Sequence, residues 1–327
     1  MFAGLEPLLA RWRLTHRLPW MRPAPTAPSL HGALRPNQEL DRAMLLAECP
    51  APDNLVWQDD HLLFTSGKRV LLLDSLHQES AEPEEILHFD GEITALAAAE
   101  DGSLAVALGA AGIVIVGGAH DGKTITSLGG RKLIAPTALA FSGAETLFVC
   151  VGSDLHAIGD WQRDLRERRA SGSVWRLSLG SGAALCLASD LGYPSGLLLH
   201  DGRIAVSEAW RYRLLDLPVH DLPVHERAAP RVLLDDLPGH PGRLSPAPDG
   251  GAWLAVFASR TSAARCNAYG LAVHLDRDFT PTRSLHSRAD GTRHGVTSCL
   301  EIRGELILAC KTGNALVSAD LAGELAT

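Results

Sequence analysis

Residues 192–217 read GYPSGLLLHDGRIAVSEAWRYRLLDL. A Pro-containing turn leads into the apolar Leu197–Leu199, a tight Asp201-Gly202 turn leads into Ile204–Val206, and a third run spans Tyr212–Leu217. Short apolar runs joined by Asp-Gly are the strongest local signal for β-hairpins, because such a turn needs positive φ at both central residues. The same grammar recurs along the chain, and the recurrence decides the fold.

Six copies begin at Pro52 (APDNLVW), Ile93 (EITALAA), Pro136 (APTALAF), Pro194 (YPSGLLL), Pro241 (HPGRLSP) and Val296 (GVTSCLE), at intervals of 41, 43, 58, 47 and 55 residues. A period near 40–45 residues, with three or four short strands per repeat, is the signature of a β-propeller blade. Second strands are expected at His61–Thr65, Ser103–Leu108, Thr146–Val151, Arg203–Ser207, Ala252–Phe257 and Glu305–Ala309. Third strands are expected at Arg69–Leu73, Ile113–Val116, Val174–Leu177, Tyr212–Leu215, Leu271–Leu275 and Ala315–Ala319. Five linkers carry a further strand-like run, such as Ala183–Ala188 and Arg231–Leu234; the sixth repeat has none. Ala43–Glu48 stands before the first repeat where a fourth strand stands elsewhere, so it is expected to pair with the last blade and close the ring. A two-sheet sandwich is the competing arrangement. It leaves both the sixfold repeat and the complementary N-terminal strand unexplained. The expected fold is all-β: a six-bladed β-propeller over residues 41–327, preceded by an extension and linker over 1–40.

The hydrophobic fraction of 46% supports a large core. The formal net charge of −8 leaves no electrostatic footprint for nucleic acid. No apolar run approaches the roughly 20 residues of a transmembrane helix. The six cysteines form no CxxC pair and mostly lie in apolar strand runs, as small core residues. The N-terminus lacks a continuous apolar stretch with a small-residue cleavage site, which gives the expectation of a cytoplasmic chain with reduced thiols. Met1–Met21 is amphipathic, with Leu5, Leu8, Leu9, Trp12 and Leu18 beside Arg11, Arg13 and Arg17. Such a segment packs on the propeller or a partner chain, or makes a peripheral membrane contact.

The third repeat carries the charged insertion GSDLHAIGDWQRDLRERRASG (152–172), with Trp161 and Leu165 at helical spacing, followed by SVWRLSL. With APDNLVW, SEAWRYRL and LPGHPGRLSPAPDGGAWLAV, it resembles the strictosidine-synthase-like family over about residues 36–322. That family consists of six-bladed propellers related to the SMP-30/gluconolactonase and paraoxonase-type lactonases. The resemblance implies the same fold, a small-molecule substrate in the central channel, and lyase or hydrolase chemistry.

Inner strands of a propeller begin at the central axis, so the candidate residues are those near each strand start. These are Asp53, Asn54, Thr94, Thr137, Ser195, Gly242, Arg243 and Thr297. The lactonase relatives imply a calcium or other divalent cation held by several oxygens. Here the best such set is Glu48, Asp53 and Asn54, and Arg243 at the axis repels a cation. The condensing synthase implies a glutamate on the sixth blade, and that position is Thr297, which cannot transfer protons near neutral pH. The leading expectation is therefore a strictosidine-synthase-like enzyme without a metal, and not a true strictosidine synthase. Arg243 would hold a substrate carboxylate, with Asn54, Thr137, Ser195 and Thr297 lining the site. Asp53 or Glu208 would act as base, and His240 or His294 as proton shuttle. Three alternatives stand beside it. One is a divalent-metal-dependent lactonase or ester hydrolase of the SMP-30 type. Another is a non-catalytic binding or scaffold propeller. In the third, Arg243 simply pairs with Asp53 or Glu48 and stabilises the channel.

Overall fold

Each Asp-Gly-type turn reverses the chain within two residues, so successive apolar runs pair as antiparallel hairpins. At Asp201-Gly202 both residues have positive φ, 43° and 69°, the geometry that matches the twist of the flanking strands. The computed structural model describes residues 30–77, 79–167, 169–219, 230–258, 269–288 and 293–322; the amphipathic segment Met1–Met21 and Cys266 lie outside them.

Six four-stranded antiparallel sheets make the six blades. Their inner strands are Pro52–Gln58, Ala95–Ala98, Pro136–Ser142, Pro194–His200, His240–Pro246 and Val296–Ile302. Each is followed outward by the expected second and third strands, within one or two residues at most ends. In blades one to five the outermost strand comes next in sequence. Blade six takes its outermost strand, Met44–Glu48, from the other end of the chain, in register with Ala315–Asp320 (Met44 opposite Ser318, Glu48 opposite Ala315). Blade two has the shortest outer strand, Thr124–Ile125, and a small extra hairpin follows it, turned by Gly129-Gly130 at positive φ.

The core lies between blades. Trp175 and Trp253 are 6% and 2% exposed within it. Cys49, Cys150, Cys299 and Cys310 are buried, and burial raises all four thiols, Cys49 to about 11 and Cys310 to about 12, so none is a ready nucleophile. The insertion in blade three forms the helix Trp161–Glu167. It buries its acidic Asp164 at 1% exposure, while Trp161 stays 42% exposed.

Before the first blade, residues 30–42 run along the outermost strand of blade five, Pro281–His286. The Asn37 side chain donates to the Ser284 carbonyl (2.7 Å) and accepts the His286 N–H (2.9 Å). One amide side chain thereby satisfies two edge groups that would otherwise template another strand. Ser284 Oγ reaches the Ala33 carbonyl, and Arg283 pairs with Glu39. No helix among the described residues is long and apolar enough to cross a membrane.

Candidate functional site at the propeller axis

The inner strands start around the axis, and residues at or next to their starts form a ring of contacts between blades. Thr94, Thr137 and Ser195 each donate a hydroxyl to the proline carbonyl that opens the next blade. The acceptors are Pro136 at 2.7 Å, Pro194 at 2.5 Å and Pro241 at 2.6 Å. Thr297 closes the circle by donating to Asp53 Oδ1 at 3.0 Å. Glycine is required where backbones cross most closely: a Cβ at Gly196 would lie 2.2 Å from the Gly242 carbonyl oxygen.

Arg243 extends from blade five across this ring. Its Nε donates to Asp53 Oδ1 (3.2 Å), Nη1 to the Thr137 carbonyl (2.9 Å) and Nη2 to the Thr94 carbonyl (2.9 Å). One guanidinium thus ties blades one, two, three and five. Lys311, the first residue after the second strand of blade six, donates to Asp53 Oδ2 at 2.9 Å. Asp53 also accepts the Asn54 N–H at 2.9 Å. Burial alone would raise the Asp53 carboxyl, yet Lys311, Arg243 and the hydrogen bonds outweigh it and hold the pKa well below the carboxylate range.

Below this layer the axis opens into a channel of about 440 Å³, walled by inner-strand residues of all six blades and including Leu55, Trp57, Phe141, Leu198 and Leu300. Arg243 is among the residues that line it. Above the layer, on the side of the strand starts, Tyr193 stacks on Trp210 with ring centres 4.3 Å apart. Trp210 lies edge-on to His240 (5.2 Å) and donates its indole N–H to Asp164 of the insertion helix (2.7 Å).

The expected site residues are therefore brought together only in part. Asp53, Arg243, Thr137, Ser195 and Thr297 meet at the axis. Asn54 begins the channel wall, its amide donating to Thr65 Oγ1 at 2.8 Å. Glu208 belongs to its own blade's turn: its side chain is fully buried and accepts from the Gly192 N–H (2.6 Å), Arg211 (2.7 Å) and Arg213 (2.5 Å). His240 Nδ1 donates to the Ala209 carbonyl at 3.0 Å. His294 is half-buried and bridges Tyr269 through its backbone. Glu48 is exposed, at the end of the outermost strand of blade six, apart from Asp53 on the innermost strand of blade one.

This donor set does not fit a hard cation. Calcium takes 6–8 oxygens, several of them usually anionic. Here Asp53, the sole carboxylate at the axis among the described residues, already binds two cationic side chains, and the Thr94 and Thr137 carbonyls face a guanidinium. Among the described residues no group of three or more His, Cys, Asp or Glu could hold a metal ion.

Sequence reasoning centred on the inner strands missed Lys311 and Asp164. The signal for Lys311 was available: second strands end on the same side as inner strands begin, so the first residue after one can reach the axis. Asp164 had no comparable signal, since the helix was read from its apolar spacing.

No known family profile matches the chain, and no curated protein matches it. Solved structures do match in fold. A gluconolactonase from Xanthomonas campestris is similar at 17% identity and a TM-score of 0.62, covering 91% of this chain and 98% of its own. A putative gluconolactonase superposes at 14% identity and 0.59, over 84% and 90% of the two chains. Regucalcin, a calcium-binding protein from Agrobacterium tumefaciens, superposes at 13% and 0.59, over 85% and 92%. The chain has the six-bladed propeller architecture of gluconolactonase- and regucalcin-type proteins. At these identities the likeness is one of fold.

Proposed function

We propose that the protein is a gluconolactonase-type propeller that binds a small carboxylate-bearing metabolite at its axial mouth, with Lys311 and Arg243 supplying the positive charge that a metal would supply elsewhere. The observation that carries this reading is that two cations converge on one carboxylate, Asp53, so the axial cluster is net positive in a chain of net charge −8. The Lys311 side chain is 43% exposed, against 10% for Asp53. The ammonium is therefore the part of the cluster that meets solvent and can take an incoming anion. The axial groups favour binding over acid–base turnover. A carboxylate held strongly ionised is a weak base, and the Glu208 carboxylate is enclosed by three donors of its own blade.

Calorimetric titration with a panel of hydroxy-carboxylates, gluconate among them, tests this reading. Saturable binding that weakens at least tenfold in Lys311→Ala supports it. Absence of binding across the panel, or binding indifferent to Lys311→Ala, overturns it.

The fold likeness to gluconolactonases favours a second reading, hydrolysis of a sugar lactone. A lactone-hydrolysis assay with and without calcium separates the two. Calcium-dependent turnover by the untagged protein would put the hydrolase first.

A further inference from the structure

The ends of the inner strands opposite the axial cluster carry a second cationic site, between blades three and four. At its centre is Asp216, on the third strand of blade four, with a fully buried side chain. Its Oδ2 accepts from Arg203 Nε (2.7 Å) and from Arg231 Nη2 (3.0 Å), while His200 Nε2 lies 3.5 Å from Oδ1. Two guanidiniums and an imidazole thus surround one carboxylate. A buried carboxylate strongly favours one cationic partner, and the second guanidinium is in excess of that requirement.

The excess faces a cavity. A cleft of about 590 Å³ opens beside this cluster, lined by Arg176, Arg203 and His200 and by the hydroxyl residues Ser142, Thr146 and Ser178. That volume falls within the range of small-molecule sites. Arg203 binds Asp216 through Nε alone, so neither of its Nη groups has a hydrogen-bond partner among the described residues. Among the described residues Arg176 donates only through Nη1, to the Val219 carbonyl at 3.1 Å. Two guanidiniums with N–H groups to spare, flanked by hydroxyls, match the several acceptor oxygens of a phosphate group. Phe148 and Leu185 give the same cleft an apolar wall for the rest of such a molecule.

We propose that this cleft binds a small phosphate monoester, its phosphate held by Arg176 and Arg203. The site is independent of the axial mouth: an inner strand of seven residues separates the two, about 20 Å at the usual rise per residue.

Titration with phenyl phosphate and with inorganic phosphate, followed by calorimetry and melting temperature, tests the proposal. Saturable binding of phenyl phosphate is expected, tighter than inorganic phosphate, and weakened at least tenfold by Arg203→Ala and by Arg176→Gln. Arg176→Gln leaves the Asp216 cluster intact and keeps the test decisive where Arg203→Ala fails to fold. Lys311→Ala should leave this binding unchanged, whatever it does to carboxylates at the axis. No saturable binding, or binding lost in Lys311→Ala but kept in Arg176→Gln, would overturn the proposal.

Discussion

Lys311 Nζ and Asp53 Oδ2 lie 2.9 Å apart although 258 residues separate them in sequence. With Arg243 on the other carboxylate oxygen, the contact makes the axis a closed ionic layer shared by blades one, five and six. Two cationic side chains thus share one buried carboxylate.

Removing the guanidinium should cost the fold heavily. Arg243→Met leaves Asp53 with one cationic partner and two carbonyls without a donor. Breaking one side of such a buried arrangement costs about 3–5 kcal/mol. Denaturant midpoints of wild type and variant measure it. A loss below about 1 kcal/mol would mean the layer does not hold the ring together.

Gly196→Ala should be nearly as damaging, for a steric reason. The new methyl would lie 2.2 Å from the Gly242 carbonyl oxygen, which is backbone and cannot swing away. Blades four and five would have to separate. Soluble yield and melting temperature should both fall, and a melt within a degree of wild type would contradict the close approach.

Acid should destabilise the protein in two windows. His286 is 1% exposed, and burial lowers its pKa to about 4. Its unfolded form takes up a proton first as pH falls, so stability present above pH 6.5 is lost between about 6.5 and 4, on the order of 3 kcal/mol. Asp53 is also depressed, and its contribution is lost only below the ordinary carboxylate range, near pH 3.8 and lower. His286→Gln should flatten the upper window in a stability-against-pH profile and leave the lower one.

Asn37→Ala should expose the edge of blade five. It removes both hydrogen bonds to Pro281–His286 and leaves a strand edge open to another chain. A modest stability loss of about 1–2 kcal/mol should come with a concentration-dependent rise in scattering. Unchanged scattering would show that other contacts of residues 30–42 suffice to cover the edge.

The blades were legible because turn chemistry and strand alternation are local. Arg69–Leu73, Ile113–Val116, Thr146–Val151 and Arg231–Leu234 have the bounds their sequences predict. The pairing of Ala43–Glu48 with the last blade was also legible, because an unpaired strand at each end of a repeat series has one economical solution. The site was legible as a set of positions but not as chemistry. Arg243 and Asp53 could be placed at the axis, and their pairing was one of two readings. Which oxygen faces which nitrogen depends on chain segments far apart in sequence. Glu208 looked like an available base because its strand leads toward the axis; Arg211 and Arg213, three and five residues on, enclose it instead. Asp164 had no periodic signature, since a buried charge in a short helix is set by the indole it meets.

Blade six is stitched from both ends of the chain, and this orders the events of synthesis. Five blades contain all their strands in continuous sequence and can form while the ribosome is still working. The sixth waits for Ala315–Asp320, the last of the described strands, to meet Met44–Glu48, the first of them. Lys311 arrives only just before it. Until then the propeller is an open arc, with Asp53 short of its last partner, Lys311, and a strand-pairing surface at each end of the arc. Any factor that guards this protein during translation would find its target in that arc, and would lose it when the ring shuts.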